Sequence, residues 1–130
     1  MPKQPESRLQ QRIQKSLRRD VGGFWFKMWG GPFTPAGIPD LIGCVQGVFF
    51  ALEVKRDDKR SKTSDIQDET IDDINAAGGC AGVVRSPTEA IDIVRARLGL
   101  EQSAIALLRE IAGGHNDPRR AAKDFINAID

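Results

Sequence analysis

At 130 residues and 40% hydrophobic content, the chain is long enough for one compact domain whose core needs no disulfide or structural metal. Its formal net charge of +1 says little about an anionic partner, so the distribution of charge carries more than the sum. No run of about 18 apolar residues occurs and the start, "MPKQPESRLQQR", lacks the apolar stretch of a secretory signal, so neither a membrane span nor export is expected and the cytoplasm is the expected compartment.

Leu9, Ile13 and Leu17 recur at helical spacing after Pro5, which predicts an amphipathic helix over about residues 5 to 19 with Glu6 in its first turn. Within residues 1 to 31 seven cations, Arg8, Arg12 and Lys15 among them, face only Glu6 and Asp20, a local excess of +5. A basic face of this kind suits phosphate backbones, though a solvated helix surface gives the same pattern. "VGGFWFKMWGGPFTPAG" reads as a short strand followed by a turn-rich loop, in which Trp25 and Trp29 suit core packing before base stacking. "GIPDLIGCVQGVFFALEVK" reads as a hairpin and "RDDKRSKTS", 56 to 64, as a loop. Ile66, Ile71 and Ile74 mark a helix stopped by "AAGG", and "CAGVVR" is a short strand. "SPTEAIDIVRARLGL" is a helix capped by Ser86 or Thr88. Further helical stretches are expected at about 101 to 112 and 118 to 129. Cys44 and Cys80 stand apart in apolar segments and read as reduced, buried thiols.

The hairpin carries the chemistry. A two-residue turn at Gln46-Gly47 sets Val45 against Val48, Gly43 against Phe50, Leu41 against Leu52 and Asp40 against Glu53. Leu41, Val45, Val48, Phe50, Leu52 and Val54 then share one apolar face, while Asp40, Glu53 and Lys55 share the other. Like charges directly opposite, with Cβ atoms about 5 Å apart, destabilise a sheet unless a cation sits between them. Two carboxylates plus waters suit Mg2+ or Mn2+. Lys55, on the same face as Glu53, is then placed to meet an anion held by the metal.

A P-D pair followed by E-x-K on the next strand resembles the PD-(D/E)XK nucleases. The ordered motifs "ESRLQQRI", "GIPDLIG", "FFALEVK", the glutamine opening the next helix, "AAGG" and "VVRSPTEAI" are similar to the VRR-NUC family, the virus-type replication and repair nucleases, over about residues 5 to 97. The resemblance implies a restriction-endonuclease-like α/β core with a central mixed sheet flanked by helices over residues 1–97; the last 33 residues match none of these motifs, and their helical stretches are expected to form a helical C-terminal extension over 98–130, packed on the core or at a dimer interface. It also implies a metal site of Asp40, Glu53, the Val54 backbone carbonyl and Glu6, with Lys55 as catalytic lysine and Gln67 as the polar residue of the following helix.

The expected activity is metal-dependent hydrolysis of DNA phosphodiesters by a stand-alone viral or prophage enzyme selective for branched DNA, four-way junctions in particular. No organic cofactor or membrane is implied. The alternatives are a nicking or restriction-like endonuclease and, from another class, a non-catalytic DNA-binding module. A homodimer is expected, because a four-way junction has two related strands to cut and the chain has one site; Ile105, Leu108, Ile111, Phe125, Ile126 and Ile129 would cover each other or a second copy. Arg85 is a candidate for phosphate contact or for a helix-start salt bridge. Asp57 and Asp58 read as solvated, and His115, the single histidine, as an exposed loop residue.

Overall fold

The computed structural model describes residues 5–56 and 63–111, which form α1 (Pro5–Asp20), β1 (Phe24–Lys27), β2 (Leu41–Val45), β3 (Val48–Val54), α2 (Asp65–Ala76), β4 (Cys80–Val84) and α3 (Pro87–Ile111). The strands make one sheet in the order β1-β2-β3-β4, antiparallel across the first two pairings and parallel between β3 and β4. This is the mixed sheet flanked by helices that the sequence implies. The chain divides into two compact units between Arg95 and Ala96, so α3 begins in the first and ends in the second. Asp57, Asp58, His115, Phe125, Ile126, Ile129 and the stretch at 118 to 129 lie outside the described residues.

Turn chemistry fixes the hairpin. Gln46 (φ 52) and Gly47 (φ 81) both have positive φ, as a type I′ turn requires, and its twist matches that of the strands it joins. The pairs Val45 with Val48, Gly43 with Phe50 and Leu41 with Leu52 follow. Leu41, Val45, Val48, Phe50, Leu52 and Val54 are accordingly all buried.

Trp25 lies on the same face, 1% exposed, with its ring centroid 5.8 Å from that of Phe50. It lies over Gly43, where any Cβ would strike the indole ring. From α1 come the buried Ile13 and Leu17, and from the first turns of α3 the buried Ala90 and Val94. The opposite face receives α2, whose Ile74, with Phe49 of β3, closes over Gly79. On each outer strand one residue has backbone groups taken up by side chains, which helps to blunt the sheet edges. Gln14 Nε2 and Arg18 Nη2 donate to the Trp25 carbonyl at 3.1 and 2.7 Å. Asn75 pairs with both the N–H and the carbonyl of Ala81, at 2.8 and 3.0 Å.

Two expectations are corrected. The helical stretch at 101 to 112 is not separate from its predecessor: α3 runs unbroken to Ile111, because an interior glycine such as Gly99 costs a helix only about 1 kcal/mol. Cys44 is exposed and Cys80 half-buried. Cys44 alternates with Gly43 and Val45 and so points away from the core that they face. None of the helices among the described residues is long and apolar enough to cross a membrane.

Because the indole of Trp25 fills the space above Gly43, Gly43→Ala is expected to destabilise the protein by about 1–3 kcal/mol through overpacking. The shift in urea midpoint at unchanged m-value measures it.

Candidate active site

The site forms where the β2–β3 ladder runs out. Continuing the register one step past Leu41 and Leu52 brings Asp40 opposite Glu53, and a further step brings the buried Pro39 opposite Val54. There the Asp40 side chain takes over from strand pairing: its Oδ2 accepts from the Val54 N–H at 2.8 Å. The Asp40 carbonyl meanwhile accepts from the Met28 N–H at 2.7 Å, so Asp40 is fixed between the extensions of β1 and β3.

Glu53 is 3% exposed. Its Oε1 accepts from Gln67 Nε2 at 2.9 Å and stands 3.5 Å from Lys55 Nζ. Its Oε2 is buried with no hydrogen-bond partner, a costly state for a carboxyl oxygen. Burial, followed by the charge of Asp40, pushes Glu53 from 4.5 up to about 8, against the opposing pull of Lys55. The repulsion expected from the sequence thus adds to the larger effect of burial.

Gln67 does two things at once. It is the N3 residue of α2, and its Oε1 accepts from the Ser64 N–H at 2.9 Å while Ser64 Oγ accepts from the Gln67 N–H at 3.2 Å. This capping box satisfies two orphan donors of the helix start and leaves the Gln67 amide N–H free to hold Glu53. Lys55 continues β3 by donating its N–H to the Val84 carbonyl at 3.0 Å. Its side chain is 14% exposed, an ammonium held close to the acids. The i, i+2 spacing on one strand face is what brings Lys55 to Glu53, and the pair is largely buried, not exposed.

The two carboxylates, with one buried oxygen unsatisfied, fit a hard divalent cation. Mg2+ is commonly held by one or two carboxylates and otherwise by water. Among the described residues no group of three His, Cys, Asp or Glu side chains is gathered. Glu6 stands in the first turn of α1. That turn is nonetheless at the right end of the sheet, since Ser7 Oγ is 3.5 Å from Lys27 Nζ and Lys27 pairs with Leu41.

Beside Glu53 is a cleft of about 470 Å3 lined by Thr63, Asp68, Val83, Arg85 and Glu89, with Val83 the β4 partner of Glu53. Arg85 is engaged within the fold, its Nη1 donating to the Arg56 carbonyl and its N–H to Glu89 Oε2. It ties the exits of β3 and β4 together, and its backbone N–H meets Glu89 of the following helix start. Arg8, Arg12 and Lys15 lie exposed along α1.

No family model and no curated protein matches the sequence. Solved structures do. A VRR_NUC domain protein superposes with a TM-score of 0.60 at 19% identity, over 77% of this chain and 93% of that one. A VRR_NUC domain gives a TM-score of 0.56 at 23% identity, over 69% and 94%. The chain has the fold of VRR_NUC domains, in agreement with the resemblance carried by its motifs.

The raised Glu53 pKa implies a pH dependence of stability in the metal-free protein. Between about 4.5 and about 8 the folded chain keeps a proton that the unfolded chain releases. Stability is therefore expected to fall as pH rises through that window, by at most about 1.4 kcal/mol per pH unit. Glu53→Gln should flatten the profile, as measured by denaturation in chelator at a series of pH values.

Proposed function

We propose that the chain is a divalent-metal-dependent nuclease that hydrolyses phosphodiester bonds of DNA. The observation that carries this reading is the forced meeting of Asp40 with Glu53, whose buried Oε2 has no partner, beside the ammonium of Lys55.

Asp40, Glu53 and the Val54 carbonyl are the groups assigned to hold Mg2+ or Mn2+, with Glu6 a further contributor from α1. When bound, the ion supplies Lewis-acid charge that activates a water and polarises the phosphoryl group. The chain's own groups do the rest. Gln67 holds Glu53 in one orientation through Oε1, which leaves Oε2 for the cation. Lys55 supplies a preorganised ammonium for the charge that builds on the phosphoryl oxygens, and such groups act most strongly in a partly dry site where no reorganisation is needed. No covalent enzyme intermediate is required. The exposed Arg8, Arg12 and Lys15 are assigned to the phosphate backbone away from the cut.

At the finer level the reading is a stand-alone viral or prophage enzyme working as a homodimer in the cytoplasm of a bacterial host, on branched DNA such as the four-way junction. Two-fold symmetry of that substrate supports a two-fold pair of sites. Leu100, Leu107 and Ile111 in α3 are each more than half exposed, and they supply apolar surface for a second copy. A nicking endonuclease that works as a monomer is the alternative, and a non-catalytic binding module is disfavoured by the intact set of acids and lysine.

Asp40→Asn and Glu53→Gln are each expected to abolish cleavage of linear, nicked, flap and four-way DNA in Mg2+ or Mn2+ while the protein stays folded; wild-type rates in either would remove the site. Lys55→Ala should lose about 10²- to 10³-fold in turnover and keep its metal affinity, which calorimetry separates from a loss of binding. Light scattering across a concentration range is expected to give a dimer, and paired incisions on a cruciform plasmid its consequence. A monomer making uncoupled nicks would leave the nicking enzyme.

A further inference from the structure

Trp25 and Trp29 look alike in the sequence, yet the fold separates them completely. Trp25 is a core residue, whereas Trp29 is 75% exposed and Phe33, four positions on, is 98% exposed. Isolated exposed aromatics need no explanation. This pair is different in where it is held. Both lie on the segment joining β1 to β2, and the base of that segment is closed by the hydrogen bond from the Met28 N–H to the Asp40 carbonyl. The segment thus starts beside Asp40 and ends on it.

The loop is shaped by its own polar contacts, not by burying its aromatics. Thr34 donates its hydroxyl to the Trp29 carbonyl at 3.0 Å and its N–H to the Gly31 carbonyl at 3.1 Å. The Lys27 ammonium sits 4.5 Å from the centroid of the Trp29 ring, a cation–π contact that steadies the indole and brings positive charge beside it. An open aromatic surface with an adjacent cation matches one ligand chemistry well: a nucleobase to stack on the ring and a phosphate to meet the ammonium. In an intact duplex the faces of the bases are already stacked on one another. Only unpaired nucleotides at a tail, flap or branch offer a free face without the cost of unstacking.

We propose that Trp29 and Phe33 form a stacking platform for unpaired bases next to the phosphodiester held at Asp40, Glu53 and Lys55, and that this platform selects nucleic acid with single-stranded character beside the cut. The inference rests on the nuclease reading for its substrate and adds the structural class that the site prefers.

The chain has two tryptophans, one of them buried, so fluorescence quenching by solvent or by a base reports on Trp29. Titrating the full-length, metal-free protein with a single-stranded oligonucleotide and with a duplex bearing a single-stranded tail is expected to quench emission, whereas a blunt duplex of the same length should not. Trp29→Ala should abolish the quench, and either Trp29→Ala or Phe33→Ala should weaken binding of the tailed duplex by about tenfold, the size of one base–aromatic stack. Binding of the blunt duplex, followed by fluorescence anisotropy, should change less than about twofold. Trp29→Phe should restore tailed-duplex affinity. Phe24, 65% exposed at the far end of β1, is the control: Phe24→Ser should leave both affinities unchanged.

Equal affinity of the wild type for blunt and tailed duplexes, with no effect of either loop substitution, would overturn the proposal. Loss of a dimer in Trp29→Ala with unchanged nucleic-acid affinity would overturn it in favour of a protein contact. These readouts require no cleavage. Failure of the platform with cleavage intact, and failure of cleavage with the platform intact, are therefore separate results.

Discussion

Two carboxyl groups that repel each other stand at the open end of the β2–β3 hairpin because the register leaves them no other place. At an effective dielectric of about 20, unit charges about 5 Å apart repel by about 3 kcal/mol. Slipping the strands by one residue would separate them, but it would also turn Leu41, Phe50 and Leu52 out of the core, where each is fully buried and contributes roughly 1.5–3 kcal/mol. Burial wins, and the type I′ turn at Gln46-Gly47 enforces the same choice. Burial, with the Asp40 charge added to it, pushes Glu53 up to about 8. A bound cation would offset both, so the strain of the apo state and the proposed metal affinity have one origin.

The elements around the hairpin make that conflict permanent. Asp40 cannot swing away, because its carboxylate replaces the missing ladder bond to Val54 and its carbonyl holds Met28. Glu53 cannot swing away either, since Gln67 holds it from the start of α2. The same glutamine closes the capping box of that helix, so helix initiation and orientation of the site are a single local event. α2 has no buried residue of its own. Its place on the sheet depends on polar ties at both ends, Gln67 to Glu53 and Asn75 to Ala81, more than on a hydrophobic stripe.

The two faces of the sheet divide the labour. One is closed by Trp25, Phe50 and the apolar stripes of α1 and α3. The other carries the acids at the open end of the hairpin and leaves Phe49 and Cys44 exposed toward its turn. The segment from Met28 to Asp40 leaves β1 and returns to Asp40 with Trp29 and Phe33 in solvent, so a platform there would lie within one loop of whatever the acids hold.

The sequence determined more of the site than of its surroundings. Strand parity is strictly two, and a two-residue turn has one natural register, so the opposition of Asp40 and Glu53, the apolar reverse face and the position of Lys55 were all legible from residues 40 to 55. Helical spacing likewise placed α1 and α2. What pattern could not reach were distinctions between chemically similar residues. Trp25 is buried because it pairs with Gly43, whose missing side chain makes room for an indole, and Trp29 has no such partner. Cys44 reads as apolar by type but points outward by parity. Arg85 reaches the Arg56 carbonyl, a contact 29 residues away along the chain. Glu6 was assigned to the metal, but which face of the sheet α1 covers is set by where its Ile13 and Leu17 find a core. Periodicity is a property of one segment and is written in it; packing partners belong to two segments at once, and only the folded chain brings them together.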